Sequence, residues 1–207
     1  MRQDRVSGGT GTRQSTRQRA LDAMAEAIGE YGYPDTTVGD VLSRARMSRR
    51  TFYELFANRE ECFLATYDHA RSKALAWLDG EAARAQGTAR PLADLLAEVL
   101  DYLAERPDFA RVLVVEPPAA GAPGIDRHER TMAELADWLA RSRRADGAEL
   151  GHDELRLRCE ASIGAIHRVL AARIVAGRAS DLPALSADLS ALVAVLVAAG
   201  CQKHTPP

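Results

Sequence analysis

Apolar residues recur at helical spacing along most of this 207-residue chain. The segment 92–103 is the clearest case, with Leu92, Leu95, Leu96, Val99, Leu100 and Leu103. Steps of three and four residues place such side chains on one face of a helix. No segment of useful length alternates apolar and polar residues with a period of two, which is the strand pattern. The sequence therefore predicts an all-α fold of about nine helices.

The N-terminal segment predicts an arm followed by a helix. Residues 1–14 hold three glycines among polar residues and have no apolar periodicity, so we expect a flexible basic arm. Helical spacing then predicts a first helix over 16–31, and Gly32 is the residue type that ends helices. Cysteines at 62, 159 and 201 lie too far apart for a metal or redox motif and are expected to be buried.

Two short helices are predicted next, over about 37–45 and 48–56, and Arg59 begins a long fourth helix. Thr37 and Ser48 stand at the starts of the short helices as N-caps. We divide the chain into the arm, a domain at 15–64 with its motif at 37–56, and a larger helical domain at 65–207.

The charge distribution separates the two domains. Residues 1–59 contain ten arginines and seven acidic residues, a net charge of +3, whereas the whole chain has −2. A basic N-terminal module on an acidic body indicates a polyanionic partner.

The sequence does not favour a secreted protein, a membrane protein or an enzyme. The N-terminus lacks the apolar core of a secretory signal, and the longest apolar run, 191–201, is too short to cross a bilayer. We therefore expect a cytoplasmic protein without a membrane segment. No nucleophile-base-acid set, metal-ligand spacing or phosphate-binding glycine loop is present in the sequence, so we expect no catalytic residue, metal or cofactor.

The two short helices, their turn of about three residues and the bracing first helix fit a helix-turn-helix. In that motif the second helix enters the major groove with its N-terminal end first. That end carries Arg49, Arg50 and Thr51, whose side chains suit base edges, while Tyr53 suits a phosphate. A solvated arginine face on a plain structural bundle is the alternative interpretation.

The stretches "GYPDTTV" at 32–38 and "VLSRARMSRRTFYELFANREECF" at 41–63 resemble the TetR family of transcription regulators. The resemblance covers roughly residues 15–65. It implies that Thr37 contacts phosphate, that Ser48 caps the recognition helix, and that Arg59 binds phosphate at the start of the helix that moves when ligand binds.

Two residues depart from the family pattern. Arg46 stands where the family has glycine, at a turn position expected to need a positive φ, and Leu55 stands where the family often has histidine. Both departures leave the operator sequence undetermined.

The resemblance also implies a homodimer through the last two helices and an effector pocket in the larger domain. The alternative is that the last helix belongs to the core of a monomer. Candidate pocket residues are the aromatic, histidine and glutamate side chains of the larger domain: Trp77, Tyr102, Phe109, Glu116, His128, Trp138 and His167. For each of them a place in the core or on the surface is the competing interpretation.

The function that these predictions favour is a ligand-responsive transcriptional repressor, released from an inverted-repeat DNA operator by a small molecule. Two alternatives remain: a small all-α enzyme, and a helical adaptor protein that does not bind DNA.

Overall fold

The computed structural model of the chain describes residues 7–84, 92–145 and 150–197. Within these residues it contains nine α-helices and no strand, which confirms the predicted all-α fold. The helices are α1 (Ser7–Tyr31), α2 (Val38–Ala45), α3 (Arg49–Leu55), α4 (Arg59–Arg84), α5 (Leu92–Glu105), α6 (Pro107–Val114), α7 (Gly121–Ala145), α8 (His152–Val175) and α9 (Ser186–Val197).

The first helix is longer than its apolar pattern predicts. It begins at Ser7, so residues 7–14 continue the helix instead of forming the expected arm, whose residues 1–6 lie outside the described part. Adding turns to an existing helix is far easier than starting one. At this end Arg13 also donates a hydrogen bond to the carbonyl of Glu54, at 3.3 Å. The spacing of apolar residues therefore does not predict these additional turns of α1, because polar contacts stabilise them.

The first core joins α1, α2, α3 and α4. Phe52 and Phe63 are fully buried there, and the cluster extends to Phe109 and Val112 of α6. The small N-terminal domain therefore shares its core with a helix of the larger domain.

Two further clusters fill the larger domain. One packs α4, α5 and α7 against α8 and α9, with Leu155 and Val193 fully buried. The other lies between α5, α6 and the ends of α8 and α9, around Leu100 and Leu182.

Polar contacts attach α4 to α7. The Tyr67 hydroxyl donates to Thr131 Oγ1 at 2.8 Å, and burial raises the pKa of Tyr67, so it remains a donor. Arg127 pairs with Asp68 at 3.2 Å, and Arg71 pairs with Glu134. Because α4 begins beside α3 and reaches these pairs, it connects the two domains mechanically.

A short 3-10 turn leads from α6 into α7. Pro117–Ala120 forms a 3-10 turn, and α7 begins at Gly121, whose φ of 68° is a value that glycine adopts without strain. Prolines favour the first turn of a helix, so Pro123 lies within α7 without breaking it.

The C-terminal helices leave apolar side chains in solvent. Leu157, Val175 and Val195 are 66%, 65% and 74% exposed. By length and composition the segment Ala179–Val197 would suffice to cross a membrane, and 22% of it is buried. The length argument made from residues 191–201 is therefore wrong, because the helical segment starts twelve residues earlier and consists of two 3-10 turns followed by α9.

Candidate nucleic-acid interface

The N-terminus of α2 is closed by a capping box. The Asp40 backbone N–H donates to Thr37 Oγ1 at 3.3 Å, and the Thr37 backbone N–H donates to the Asp40 carboxylate at 2.8 Å. The Thr37 hydroxyl also donates to that carboxylate at 2.6 Å. These bonds hold the pKa of Asp40 below its ordinary value, since each of them favours the ionised form.

The turn after α2 is a Schellman motif with Arg46 in the left-handed position. Met47 N–H donates to the carbonyl of Leu42 at 3.2 Å, and Arg46 N–H donates to the carbonyl of Ser43 at 3.4 Å. Arg46 has φ 49° and ψ 52°, and no other non-glycine residue in the described ranges has a positive φ. The expected positive φ is confirmed. A side chain at this position costs about 1 kcal/mol relative to glycine.

The third helix is capped at its start and anchored from below. Ser48 Oγ accepts the Thr51 backbone N–H at 3.0 Å, which confirms Ser48 as the N-cap. Its hydroxyl also lies 2.9 Å from that of Thr51. Phe52 and Phe56 are buried, with ring centroids 5.4 Å apart. The anchors leave the opposite face of α3 directed to solvent.

That outer face carries Arg49, Arg50 and Tyr53. Arg50 Nε donates to Glu54 Oε1 at 2.9 Å across one helical turn, and its side chain is 88% exposed. Tyr53 is 49% exposed and lies edge-on to Phe52. Arg49 is exposed and has no hydrogen-bond or ion-pair partner in the described part of the chain. The N-terminal end of α3 therefore exposes a guanidinium that is not bonded to any described residue.

The five arginines between residues 44 and 59 thus fall into two groups. Arg44 pairs with Glu30 and lies over the ring of Tyr31, 5.2 Å from its centroid. Arg50 and Arg59 are also bonded within the protein. Arg46 and Arg49 alone in this set have no partner among the described residues.

Comparison with known families identifies this helix-turn-helix. Residues 20–66 match the model of the bacterial regulatory proteins of the tetR family. This segment is a TetR-family helix-turn-helix domain. The comparison with curated proteins gives no match.

Solved structures extend the similarity to the whole fold. The fatty acid degradation regulator FadR from Bacillus halodurans is 18% identical, with a TM-score of 0.69 over 86% of this chain and 94% of that one. FadR from Bacillus subtilis, solved in complex with stearoyl-CoA, is 19% identical with a TM-score of 0.68 over 87% and 97%. A TetR-like transcriptional regulator from Rhodococcus sp. RHA1 is 18% identical with a TM-score of 0.66 over 96% and 100%. At these identities the likeness establishes the fold alone.

In this domain Arg59 is bonded to the turn between α1 and α2. Its Nη1 donates to the carbonyls of Tyr33 and Pro34, each at 3.1 Å, and to that of Thr36. Its guanidinium lies 4.4 Å from the centroid of the Tyr33 ring, which in turn lies 4.4 Å from that of Phe63. Arg59 thus braces the turn that leads into α2, a role that the sequence pattern does not indicate.

Glu116 reaches the same turn from the larger domain. It is 4% exposed; its Oε2 accepts the Tyr33 backbone N–H at 3.1 Å and its Oε1 accepts from Arg111 Nε at 2.6 Å. Gly32 has φ 79° here, and a Cβ atom at this position would lie 3.3 Å from Arg111 Nη2. We call these residues, together with Arg59, the junction. Because Glu116 and Tyr33 are 83 residues apart, no local sequence signal could have revealed their contact.

Two predicted pocket residues lie against the N-terminal domain. Glu116 belongs to the junction, and Phe109 is buried in the first core beneath Arg106, whose guanidinium lies 4.4 Å from the ring centroid. Tyr102 is 40% exposed on α5. An aromatic residue at helical spacing packs in any core that its helix meets, and spacing alone does not identify which core that is.

The remaining pocket candidates lie inside the larger domain. His128 and His167 face each other with ring centroids 4.6 Å apart, and His167 Nε2 lies 3.0 Å from the Val114 carbonyl. Burial and the neighbouring His167 lower the pKa of His128, whose Nδ1 is buried without a hydrogen-bond partner. Trp138 is buried in the second core and Trp77 packs against it. The two histidines thus contact each other, and the two tryptophans share the second core.

The remaining reactive groups do not form a second site in the described ranges. Cys62 and Cys159 are buried thiols; burial raises the pKa of Cys62 to about 12 and also raises that of Cys159. Cys201 lies outside the described residues. No group of three or more His, Cys, Asp or Glu side chains in these ranges is placed to hold a metal ion.

Proposed function

We propose that this TetR-family regulator is a homodimeric repressor that binds an inverted-repeat operator and is released from it by a small molecule. The observation that carries the proposal is Arg49: an exposed guanidinium without a protein partner, at the leading end of a helix whose cap and anchors fix its direction. Arginine is the side chain that most often reads guanine in the major groove.

Arg50 and Thr51 join Arg49 as base contacts in this proposal. The Arg50 pair with Glu54 lies in solvent, where ion pairs contribute little, so Arg50 exchanges this partner for a base at small cost. Thr51 shares its hydroxyl with Ser48 and still has lone-pair capacity for a base edge.

The backbone contacts of the proposal are Thr37, Ser48, Tyr53 and Arg59. Tyr53 has an exposed ring one turn beyond Arg49, which suits a phosphate. Thr37 and Ser48 begin α2 and α3, so a phosphate near either one meets a fixed helix start. Arg59 has its Nη1 on three carbonyls, and its other N–H groups are available to a phosphate.

Dimerisation is supported by the exposed apolar face of α8 and α9. Three large aliphatic side chains there are about two-thirds or more exposed: Leu157, Val175 and Val195. A second copy would cover this face, and two copies related by a two-fold axis would place two α3 helices on one face of DNA. The half-sites would then be about 34–36 Å apart or a multiple of that distance. With the face covered, the segment Ala179–Val197 needs no membrane, and the protein is cytoplasmic.

For the effector we propose an apolar molecule with a hydrogen-bonding group, bound near His128, His167, Trp77 and Trp138. Aliphatic side chains of the second core surround the tryptophans, and the unpartnered Nδ1 of His128 offers a polar contact on the same helix as Trp138, α7. The stearoyl-CoA complex of the Bacillus subtilis regulator makes a long-chain acyl-CoA the first probe to test.

Release would be a population shift. The pairs between α4 and α7 transmit movement in the body to the start of α4, where the junction holds α2. A ligand that favours a different position of α7 would separate the two DNA-binding ends, and DNA must then weaken ligand binding by the same factor.

The test is a duplex-binding measurement on the purified full chain. Fragments recovered from a random duplex library are expected to contain an inverted repeat and to bind one dimer, with an association constant that falls linearly with log salt. Stearoyl-CoA serves as the first ligand for release. Absence of affinity for any duplex at low salt contradicts the proposal, and turnover of a small molecule or a protein partner without DNA binding would favour the enzyme or adaptor.

A further inference from the structure

Arg46 combines a strained backbone with an unused side chain. Its φ of 49° is one that glycine adopts without strain, and the two turn bonds to Leu42 and Ser43 involve backbone groups alone. A glycine at position 46 would keep both bonds. The stability of the turn therefore gives no reason for an arginine here.

The side chain makes no compensating contact within the protein. Arg46 is exposed, and in the described ranges its side chain has no hydrogen bond, ion pair or aromatic contact. Arg44, two residues earlier, differs because it bonds Glu30 and covers Tyr31. Two neighbouring arginines on one helix end are thus used differently. The Arg46 guanidinium is available to a partner outside this chain.

The position of Arg46 indicates which partner that is. It lies two residues before Ser48, the N-cap of α3, and three residues before Arg49. Consecutive Cα atoms are 3.8 Å apart, so Arg46 is within about 8 Å of the cap. In the proposed complex α3 is inside the major groove, and the turn before it lies at the groove edge, where the sugar-phosphate backbone passes.

We infer that Arg46 binds a DNA phosphate beside the bases read by α3, and that the left-handed turn holds its guanidinium there. The inference rests on the proposed DNA-binding function and goes beyond it, because it assigns binding to a residue at the family's glycine position. Such a contact adds affinity for every sequence and does not discriminate among bases.

The consequence is that stability and DNA binding change in opposite directions at this residue. Arg46→Gly removes the backbone strain and the charge together. Arg46→Lys keeps the strain and the charge, and is the matched variant. An exposed arginine of α7 without a partner in the described ranges, Arg141, supplies the control Arg141→Ala, which removes a charge and keeps a good helix-forming residue.

The experiment measures the melting temperature and the duplex affinity of the full-length variants. The probes are the duplex selected by the wild-type protein and a scrambled duplex of equal length, each at several salt concentrations. For Arg46→Gly we expect a Tm higher by about 2–4 °C. We also expect weaker binding to both duplexes by a similar factor, and a salt slope reduced by about two for a dimer with two such contacts.

Arg46→Lys is expected to keep the wild-type salt slope, and Arg141→Ala to keep both slope and affinity. If the wild type binds DNA and Arg46→Gly has the same affinity and salt slope, the assignment of Arg46 to a phosphate is overturned. The proposed function is not affected by that result. A loss confined to the selected duplex would also overturn it, because that result assigns Arg46 to a base. If the wild type binds no duplex, the proposed function fails and this inference fails with it.

Discussion

The outer end of α3 and the junction beneath it both contain closely spaced arginines, but the two regions use them in opposite ways. At the junction, Arg59 bonds three carbonyls and Arg111 bonds a buried carboxylate. At α3, Arg49 and Arg46 are exposed and have no partner among the described residues. Since the residue type is the same in both regions, charge content alone does not identify the DNA-binding surface. We propose that a position at the start of α3, together with the absence of a protein partner, does identify it.

The largest expected loss of stability follows from removing the buried carboxylate of the junction, Glu116. Glu116→Ala leaves both the Arg111 guanidinium and the buried Tyr33 N–H without their acceptor, and the loss of these two bonds costs about 3 kcal/mol of unfolding free energy. Denaturant unfolding measures the loss. The matched control is Glu134→Ala, whose carboxylate is 42% exposed in its pair with Arg71 and whose removal should cost less than about 1 kcal/mol. Equal losses in the two variants would contradict the junction as described.

Arg59 is expected to contribute both to the stability of the protein and to DNA binding. Arg59→Ala removes a charged donor shared by three carbonyls, for a loss of about 2 kcal/mol in unfolding free energy. As a proposed phosphate contact it should also weaken binding to all duplexes and lower the salt slope. Arg50→Ala is the control for stability, because its ion pair lies in solvent. A stable Arg59→Ala protein would refute the bracing role, and an unchanged slope would refute the phosphate contact.

The smallest expected effect is a change in the acid dependence of stability, caused by the capping box at the start of α2. The bonds from Thr37 lower the pKa of Asp40, so the stability they add is present above the ordinary carboxyl value of 3.8 and is lost as pH falls through the lowered pKa. Thr37→Val should raise the Asp40 pKa toward that ordinary value and flatten this acid dependence. A carboxyl titration by NMR measures the change. An Asp40 pKa that is the same in both proteins would contradict the capping box.

Local signals in the sequence explain which features could be predicted. The N-caps Thr37 and Ser48, the stop at Gly32 and the anchors Phe52 and Phe56 depend on residues within one helical turn, and all of them appear in the structure. The left-handed turn at Arg46 was also predictable, from the residue type expected at that position.

The features that the sequence did not predict depend on residues far apart in the chain. The junction contact joins residues 33 and 116, and the link from α4 to α7 joins residues 67 and 131. Glu116 and Phe109 were expected in an effector pocket, but they contact the DNA-binding domain, because α6 packs against α1 and α4. Which core a helix face meets is determined by the tertiary arrangement, and helical spacing carries no information about it.

The central claim is that an arginine without a protein partner at the end of α3 reads DNA, and base selection by Arg49→Ala tests it most directly. The variant and wild type are each presented with the same random duplex library, beside Arg141→Ala, which removes an exposed arginine of the body. We predict that Arg49→Ala loses preference at one position in each half-site, by about tenfold, while Arg141→Ala keeps the wild-type preference. An Arg49→Ala protein that selects the same sequence with the same preference at every position would contradict the claim.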